Sequence, residues 1–325
     1  MRNTRRAGSN EPFGRNGASV RPFAREPERN VMRRHRTTAR ATLVALTLAG
    51  LAAAALSTPA SGNEQGAVPR LVFPLVAKTD LWDNYGDPRG NGRHAGIDME
   101  NPWRAPVVAV EDGRVKYWES GLGGCMLYHY GASGTTYMYI HLNNDLTPRN
   151  DNKGGCVEDI AYAVPNGAKV TAGQQIAWNG DSGDASGNPH LHFEVHPNDG
   201  GDVNPFRHLK RATKPLFAAR TGSVFSLGLR GSLVAAGAGA ATLEVDRVRQ
   251  YPGGRWLAID ARALELTMPR GVEIAPALGQ LDSSTLRALK KPVAVAAYTL
   301  KANATPEAIV GAPGELVLGR VAPTP

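Results

Sequence analysis

Cysteine is scarce in this sequence of 325 residues, since Cys125 and Cys156 are the only two. Neither belongs to a Cys-x-x-Cys pair, which argues against a thiolate metal site and a catalytic thiol. Aromatic residues are also few, at 6%, so a buried core must consist mainly of aliphatic side chains. Hydrophobic residues nevertheless make up 42% of the chain and charged residues 20%, a composition that excludes global disorder.

The body of the chain lacks an excess of either charge. The formal net charge is +8, but residues 1–40 contain 11 arginines and three acidic residues and so carry all of it. From Ala41 onward, basic and acidic residues are equal in number, at 26 each. We therefore predict that the folded part has no nucleic-acid partner.

Residues 1–60 are predicted to be an Arg-rich leader with a signal peptide. An uncharged apolar run covers residues 41–56 and is followed by small residues suited to signal-peptidase cleavage. This run is shorter than the roughly 20 residues that span a membrane, which favours a cleaved signal over an anchor. A true start at Met32 would give a signal of ordinary length. We predict a secreted or envelope-associated bacterial protein, anchored in the membrane if the signal is retained.

Export would place the two cysteines in an oxidising compartment, where an isolated pair favours a disulfide. We predict a bridge between Cys125 and Cys156, with two buried thiols as the alternative. Closing a loop of about thirty residues would stabilise the fold by ~3–4 kcal/mol through its effect on the unfolded chain.

Short apolar runs bounded by Gly and Pro, without sustained helical periodicity, predict an all-β protein. Residues 61–70 are predicted to be a linker, residues 71–209 an antiparallel β-sheet domain, and residues 215–325 a second, smaller β domain. A partly open, barrel-like sheet is one arrangement for the second domain, whose role the sequence leaves open. The polar stretch 143–164 is predicted to be an ordered insertion pinned by the disulfide.

Seven of the eight histidines lie in the first predicted β domain. His94 and Asp98 are four positions apart in a strand or loop, where such positions share one face. His190 and His192 share the polar face of a strand whose other face is apolar, and His141 lies on the polar side of another alternating segment. A single histidine is usually a structural polar group, whereas this grouping predicts a metal site.

Two imidazoles and a carboxylate on rigid strands suit one divalent cation with an open coordination position. Nitrogen and oxygen ligands without a thiolate favour zinc over calcium or magnesium. Zinc in such a site lowers the pKa of a bound water to about 7. The spacing therefore predicts one Zn²⁺ per chain and a hydrolytic reaction.

Several segments of residues 71–209 resemble the LytM/lysostaphin-type zinc metallopeptidases, which cleave peptide bonds in bacterial peptidoglycan. The resemblance implies an antiparallel β fold and stem or cross-link peptides of peptidoglycan as substrates. The matching segments are Phe73-Pro74, His94-Ala-Gly-Ile-Asp98, the run from Ala105 to Val115, Tyr139-Ile-His141-Leu, the run from Gly167 to Ile176, and His190-Leu-His-Phe-Glu-Val.

Carried over motif by motif, the resemblance implies that His94, Asp98 and His192 are the zinc ligands. It implies that His190 is the general base toward the water, and that His141 assists this base or steadies the oxyanion. The loop before these motifs contains Tyr85, whose hydroxyl could also support the oxyanion, with a simple packing role as the alternative. His129, His196 and His208 match no role in the motifs and are expected to be structural.

Two other functions stay open on the sequence alone. One is a catalytically silent relative that binds and activates another wall hydrolase, although here every ligand position is present. The other is a zinc peptidase that acts on proteins, since the insertion that carries Cys156 is expected to reshape one wall of the substrate groove. The oligomeric state and the bond that is cleaved are not predicted.

Overall fold

The computed structural model describes residues 68–90, 92–237, 239–275 and 287–324. The predicted leader and most of the predicted linker lie outside this part of the chain. The described residues form mostly strands with few short helices, which confirms the predicted all-β class. Across these same residues, no helix is long and apolar enough to cross a membrane.

Short strands and one helix make up the first half of the described chain. They are β1 (Pro88–Arg89), β2 (Gly92–Arg93), β3 (Ile97–Glu100), β4 (Pro106–Val108), β5 (Gly113–Ser120), β6 (Gly124–Gly131), β7 (Thr136–Leu142), β8 (Lys169–Val170), β9 (Gln175–Trp178), β10 (His190–His196) and α1 (Phe206–Arg211). The main sheet of this half is antiparallel, with the order β3-β10-β7-β6-β5-β8, and β4 pairs with β9 in a separate sheet. Strands β1 and β2 form a hairpin before β3.

The core of this half lies between the main sheet and the β4–β9 sheet, because each presents apolar side chains to the other. Leu127, Tyr139 and Phe193 of the main sheet are fully buried in one cluster with Val107 and Ile176 of the smaller sheet. Side chains that alternate with them on β3, β7 and β10 are turned away from this core. That outer face is polar and holds the candidate site.

The second half of the described chain forms another sheet. Its elements are β11 (Val224–Phe225), β12 (Leu227–Gly237), β13 (Ala240–Gln250), β14 (Leu257–Thr267), β15 (Glu273–Ile274), β16 (Arg287–Thr299), β17 (Ala302–Asn303), α2 (Pro306–Ile309) and β18 (Leu318–Pro323). The strand order β14-β13-β12-β16-β18-β15 has two ends. The predicted second β region is therefore present as an open sheet, not a closed barrel.

The described residues belong to one compact unit that contains two hydrophobic clusters. The first cluster lies within residues 71–209. The second is built from residues 216–321, together with Val76 and Val108 from the first half. The division into domains at residues 71–209 and 215–325 stays a prediction.

Cys125 in β6 forms the predicted disulfide with Cys156, and their Cα atoms are 5.0 Å apart. The bridge ties the polar stretch 143–164 to the main sheet. Tyr162 adds a second tie, since its hydroxyl donates to the carbonyl oxygen of Met126 in β6 at 2.9 Å. This stretch is thus an ordered insertion, as predicted.

We expect the variant Cys125→Ala/Cys156→Ala to lose about 3–4 kcal/mol of its free energy of unfolding, because the bridge restricts the unfolded chain. Urea-induced unfolding followed by circular dichroism measures the loss. Wild-type protein unfolded with a reductant is the control and should show the same decrease. A decrease below about 1 kcal/mol in both would contradict the expected stabilisation.

Candidate metal centre

The sequence of β10 divides its side chains between the two faces of the main sheet. Leu191, Phe193 and Val195 are fully buried in the core, which fixes the orientation of the strand. His190 and His192 therefore point to the opposite face, as their alternation predicts. There they line a cavity of about 900 Å³.

Strand β3 brings Asp98 next to His192, since the two residues lie directly opposite each other in the antiparallel pair. Ile97 and Met99 on either side of Asp98 are fully buried. A slip of one residue would expose them and turn the carboxylate into the core, so burial holds the register. The Asp98 backbone N–H also donates to Asn84 Oδ1 at 3.2 Å.

Gly96 allows the segment that carries His94 to pass close to β10. A Cβ atom at this position would lie 2.5 Å from the carbonyl oxygen of Phe193 and 2.8 Å from His192 Nε2. Any other residue would displace β10, because these distances are shorter than van der Waals contact. The close approach is the physical reason for a glycine between His94 and Asp98.

Three side-chain atoms meet in the cavity. His94 Nε2 lies 3.0 Å from Asp98 Oδ1 and 2.9 Å from His192 Nδ1, and the latter two atoms are 2.8 Å apart. In the part of the chain that the structure describes, this is the one group of His, Cys, Asp or Glu side chains whose spacing could hold a metal ion. The structure thus brings together the three ligands that the motifs predict.

The outer contacts of the two histidines decide which nitrogen faces this group. His94 Nδ1 lies 2.7 Å from the carbonyl oxygen of Asn84, which can only accept, so Nδ1 carries the proton. His192 Nε2 lies 3.0 Å from Glu194 Oε1, also an acceptor. The remaining nitrogens and the Asp98 oxygen face one another with lone pairs, an arrangement that is favourable when a cation lies among them.

The donor set fits zinc. Imidazole nitrogens and a carboxylate oxygen are the usual ligands of catalytic zinc sites. Tetrahedral ligands at about 2.0–2.1 Å from zinc are about 3.3 Å apart, near the 2.8–3.0 Å separations of the three atoms here. The contacts to Asn84 and Glu194 would fix the orientation of the ligand rings.

Without a metal, a proton on His192 supplies the positive charge among the three atoms. Burial acts against the charged form of His192, but its hydrogen bonds to Asp98 and Glu194 outweigh this and raise its pKa to about 9. Burial also acts to raise the pKa of Asp98, but hydrogen bonds to His192 and His94 hold that pKa well below its usual range. A proton and a metal ion would therefore compete for the same place.

His141 and His190 lie beside this group, with ring centroids 4.8 Å apart. Their Nδ1 atoms are 2.9 and 2.8 Å from the carbonyl oxygens of Ser182 and Asn188. Each Nδ1 therefore donates its proton to a carbonyl oxygen and leaves Nε2 turned toward the cavity, and His190 Nε2 is 3.7 Å from Asp98 Oδ1. Burial, and then the charge of His190, lower the pKa of His141 to about 4, so His141 is neutral at pH 7.

Residues 92–205 match the model of Peptidase family M23. The match includes the three-atom group and both neighbouring histidines. This part of the chain resembles the M23 peptidases. The resemblance to LytM/lysostaphin-type enzymes that the motifs predict is thereby confirmed, and we refer to residues 92–205 as the M23 region.

Solved structures that are similar to this chain include two peptidases and a protein of the same family. The catalytic domain of the antimicrobial peptidase lysostaphin from Staphylococcus simulans is 27% identical, with a TM-score of 0.33, over 41% of this chain and 92% of that one. A zinc containing peptidase from Vibrio cholerae is 26% identical, with a TM-score of 0.32, over 42% and 39% of the two chains. A variant catalytic domain of the prophage-encoded M23 protein EnpA from Enterococcus faecalis is 26% identical, with a TM-score of 0.30, over 43% and 92%.

Charged and apolar side chains both line the cavity of the M23 region. They include Arg89 and Arg93 of the β1–β2 hairpin, the apolar Leu122 and Ile140, and the carboxylates of Asp98, Glu100, Asp184 and Glu194. The Arg89 guanidinium pairs with Asp98 Oδ2 at 2.6 Å, which leaves Oδ1 facing the two histidines.

The insertion 143–164 makes hydrogen bonds to the loop before β10, which forms one wall of this cavity. None of its described residues lines the cavity, contrary to the expectation that the insertion reshapes the groove directly. Instead, Asn152 Nδ2 donates to Ser186 Oγ at 3.0 Å and Asn150 Nδ2 donates to Asp181 Oδ2 at 2.8 Å. Ser186 does line the cavity, so the insertion steadies the loop before β10.

The Tyr85 hydroxyl binds Asp202 and not the three-atom group. It donates to Asp202 Oδ2 at 2.8 Å, and Asp202 also binds Arg93. Among the described residues, Tyr85 is not one of those that line the cavity. The structure does not bring Tyr85 together with the three-atom group, so support of the oxyanion by Tyr85 stays a prediction that this geometry does not favour.

The other histidines of the M23 region have distinct surroundings. His196 Nε2 lies 2.7 Å from Glu194 Oε2 and thereby steadies the carboxylate that orients His192. His129 is fully buried, with its ring 5.5 Å from that of Tyr137. Neither ring reaches the three-atom group.

We expect the free energy of unfolding to fall as the pH decreases below about 6.5, since burial lowers the pKa of His129 to about 3. Between these values the unfolded chain binds a proton that the folded chain does not, so stability rises with pH there. The contribution of His129 to the free energy of unfolding approaches ~1.4 kcal/mol per pH unit. Urea unfolding between about pH 7 and pH 4 measures the slope. His129→Leu should reduce this slope by the amount that corresponds to about one proton. An unchanged slope would contradict this expectation.

Sequence reasoning missed Asn84, which is 6% exposed and contacts two of the three predicted ligands. Its carbonyl accepts from His94, and its side-chain oxygen accepts from the Asp98 N–H. A carbonyl contact leaves no signal in the sequence because every residue has a carbonyl group. The one available clue is the polar composition of the loop before His94.

Proposed function

We propose that this chain is a secreted zinc metalloendopeptidase that hydrolyses peptide bonds in bacterial cell-wall peptidoglycan. The observation that supports it most strongly is the convergence of His94 Nε2, Asp98 Oδ1 and His192 Nδ1 within 2.8–3.0 Å of one another. These atoms lie in an open cavity of the M23 region, beside two further histidines.

In this proposal His94, Asp98 and His192 hold one Zn²⁺. When bound, zinc would polarise the scissile carbonyl and lower the pKa of a water molecule to about 7. Asn84 and Glu194 keep the rings of the two histidine ligands in a fixed tautomer and orientation. Removing either outer contact would leave the ligands in place but less well oriented.

His190 is the proposed general base. Because Nδ1 donates to the carbonyl oxygen of Asn188, Nε2 is free to take a proton from the attacking water. The imidazolium formed in this way can then donate the same proton to the leaving amine. His141 also presents an acceptor nitrogen and is neutral at pH 7, which favours assistance to the base over donation to an oxyanion.

Peptidoglycan stem and cross-link peptides are the proposed substrates. They contain short apolar side chains, which suit Leu122, Met138 and Ile140 of the cavity lining, and the cavity is open enough to admit an extended peptide. The neutral body of the chain gives no reason to expect a nucleic-acid partner. The predicted leader would deliver the enzyme to the envelope or beyond it, with a membrane contact if the leader is retained.

Mass spectrometry of muropeptides released from purified sacculi tests the proposal. We expect new peptide-bond products with the zinc-loaded protein, and their loss after chelation and recovery with zinc. Unchanged sacculi together with cleavage of a denatured protein substrate would indicate a zinc peptidase directed at proteins. Cleavage of neither substrate by zinc-loaded protein would contradict the enzymatic function.

A further inference from the structure

A second cavity, of about 360 Å³, lies between the β4–β9 sheet and strands β13 and β14. It shares no lining residue with the cavity of the candidate metal centre. The guanidinium-bearing residues Arg104, Arg249 and Arg255 line it. Arg104 comes from the M23 region, Arg249 from β13 and Arg255 from the connection between β13 and β14, so the cavity lies where the two halves of the chain meet.

The three arginines lack a compensating negative charge. No carboxylate side chain lines the cavity. Within the described ranges of the chain, none of the three is in a salt bridge with Asp or Glu. Gathering three cations at one cavity costs electrostatic free energy, which an anion bound there would offset.

Backbone carbonyls hold two of the guanidinium groups in place. Arg104 donates to the carbonyl oxygens of Asp145 and Thr147, and its backbone has a φ of 57°, which is uncommon for a residue other than glycine. Arg255 donates to the carbonyl oxygens of Trp103 and Arg104. Carbonyls satisfy N–H groups without neutralising the charge, so these positions are fixed and still cationic.

Arg249 is the least engaged of the three. Its guanidinium lies 4.6 Å from the ring centre of Trp256, and its buried Nε atom has no hydrogen-bond partner among the described residues. A buried donor without a partner is costly. An anion in the cavity would offset the charge of this guanidinium.

The remaining walls of the cavity are mostly apolar. Trp178, Phe217 and Leu257 line it, together with the amide of Gln175. The volume lies in the range of sites for small organic ligands and is too small for a folded partner or a polymer chain. Arginine forks suit planar or tetrahedral oxyanions that accept two parallel hydrogen bonds.

We propose that this cavity binds a small organic anion, with a carboxylate or phosphate on the arginines and a ring-sized apolar body against Trp178 and Phe217. Such a ligand would contact Arg104 of the M23 region and Arg249 of the second sheet at the same time. It therefore stabilises the association of the two halves and raises the melting temperature as its concentration increases.

Isothermal titration calorimetry of the full chain with phenyl phosphate, benzoate and benzyl alcohol tests this proposal. We expect at least one of the two anions to bind, and the neutral alcohol to bind at least tenfold more weakly. The tighter anion identifies the oxyanion as phosphate or carboxylate. No binding of either anion at millimolar concentration, or equal binding of the alcohol, would overturn the proposal.

Variants of β13 provide matched controls. Arg249→Gln should weaken binding of the anion at least tenfold, and Arg249→Lys should weaken it less because the charge is kept. Arg247→Gln, two positions away on the same strand and outside the cavity, should leave it unchanged. Equal losses in the two glutamine variants would overturn the proposal. Zinc content and hydrolysis should be unaffected by all three, which separates this site from the proposed peptidase function.

Discussion

Replacing His192 by alanine will abolish zinc binding and peptide hydrolysis together. Its Nδ1 atom is one of the three atoms that would hold the metal, and it lies 2.8 Å from Asp98 Oδ1. Without it, one imidazole and one carboxylate remain, fewer than the three protein ligands of catalytic zinc sites. Elemental analysis should fall from one zinc per chain to none, and hydrolysis of sacculi should fall by at least ~10³-fold.

His94→Ala should give the same result, because His94 Nε2 lies 3.0 Å from the same oxygen. His208→Ala is the matched control, since His208 lies in α1 and lines neither cavity. Its zinc content and activity should equal those of wild type. A His192→Ala protein that retained one zinc per chain at wild-type affinity would contradict the ligand assignment.

Replacing His190 by alanine will separate metal binding from turnover. His190 Nε2 is 3.7 Å from Asp98 Oδ1 and is not one of the three atoms that would hold the ion, so the variant should bind one zinc per chain. The proton acceptor for the attacking water is lost, however. General acid–base catalysis contributes about 10²–10⁴-fold, so kcat should fall by that factor.

Zinc content and kcat measured on the same preparation distinguish the outcomes. Loss of both would show that His190 holds the metal or the fold, and circular dichroism of the variant separates these two explanations. Wild-type turnover with purified peptidoglycan would contradict the role of His190 as base. His141→Ala should retain zinc as well and lose less activity, since His141 is proposed only to assist.

Much of the candidate centre is predictable because strand geometry is periodic. The alternation around Phe193 puts His190 and His192 on one face, and the structure has them there. Pairing of Asp98 opposite His192 depends on strand register, which a single sequence does not specify. The motif resemblance implies only that both residues bind one ion, and the burial of Ile97 and Met99 explains the register.

Contacts that bring together distant parts of the chain are much harder to predict. The direction of Tyr85 depends on Asp202, more than a hundred positions away, and no local pattern predicts that hydrogen bond. The arginines of the second cavity are another case, because Arg104 meets Arg249 and Arg255 only when two sheets pack. The role of residues 215–325 stays open on the sequence alone, since no local motif marks a site that two halves of the chain build together.

The disulfide between Cys125 and Cys156 affects the rigidity of the substrate groove. It holds the insertion whose Asn150 and Asn152 steady the loop ahead of β10. In the cytosol, thiols stay reduced, and that loop would lose its brace. With the export and wall substrate proposed above, the groove would reach full rigidity only outside the cytosol, away from the wall precursors made there. Comparing kcat with and without a reductant that does not bind zinc measures this dependence.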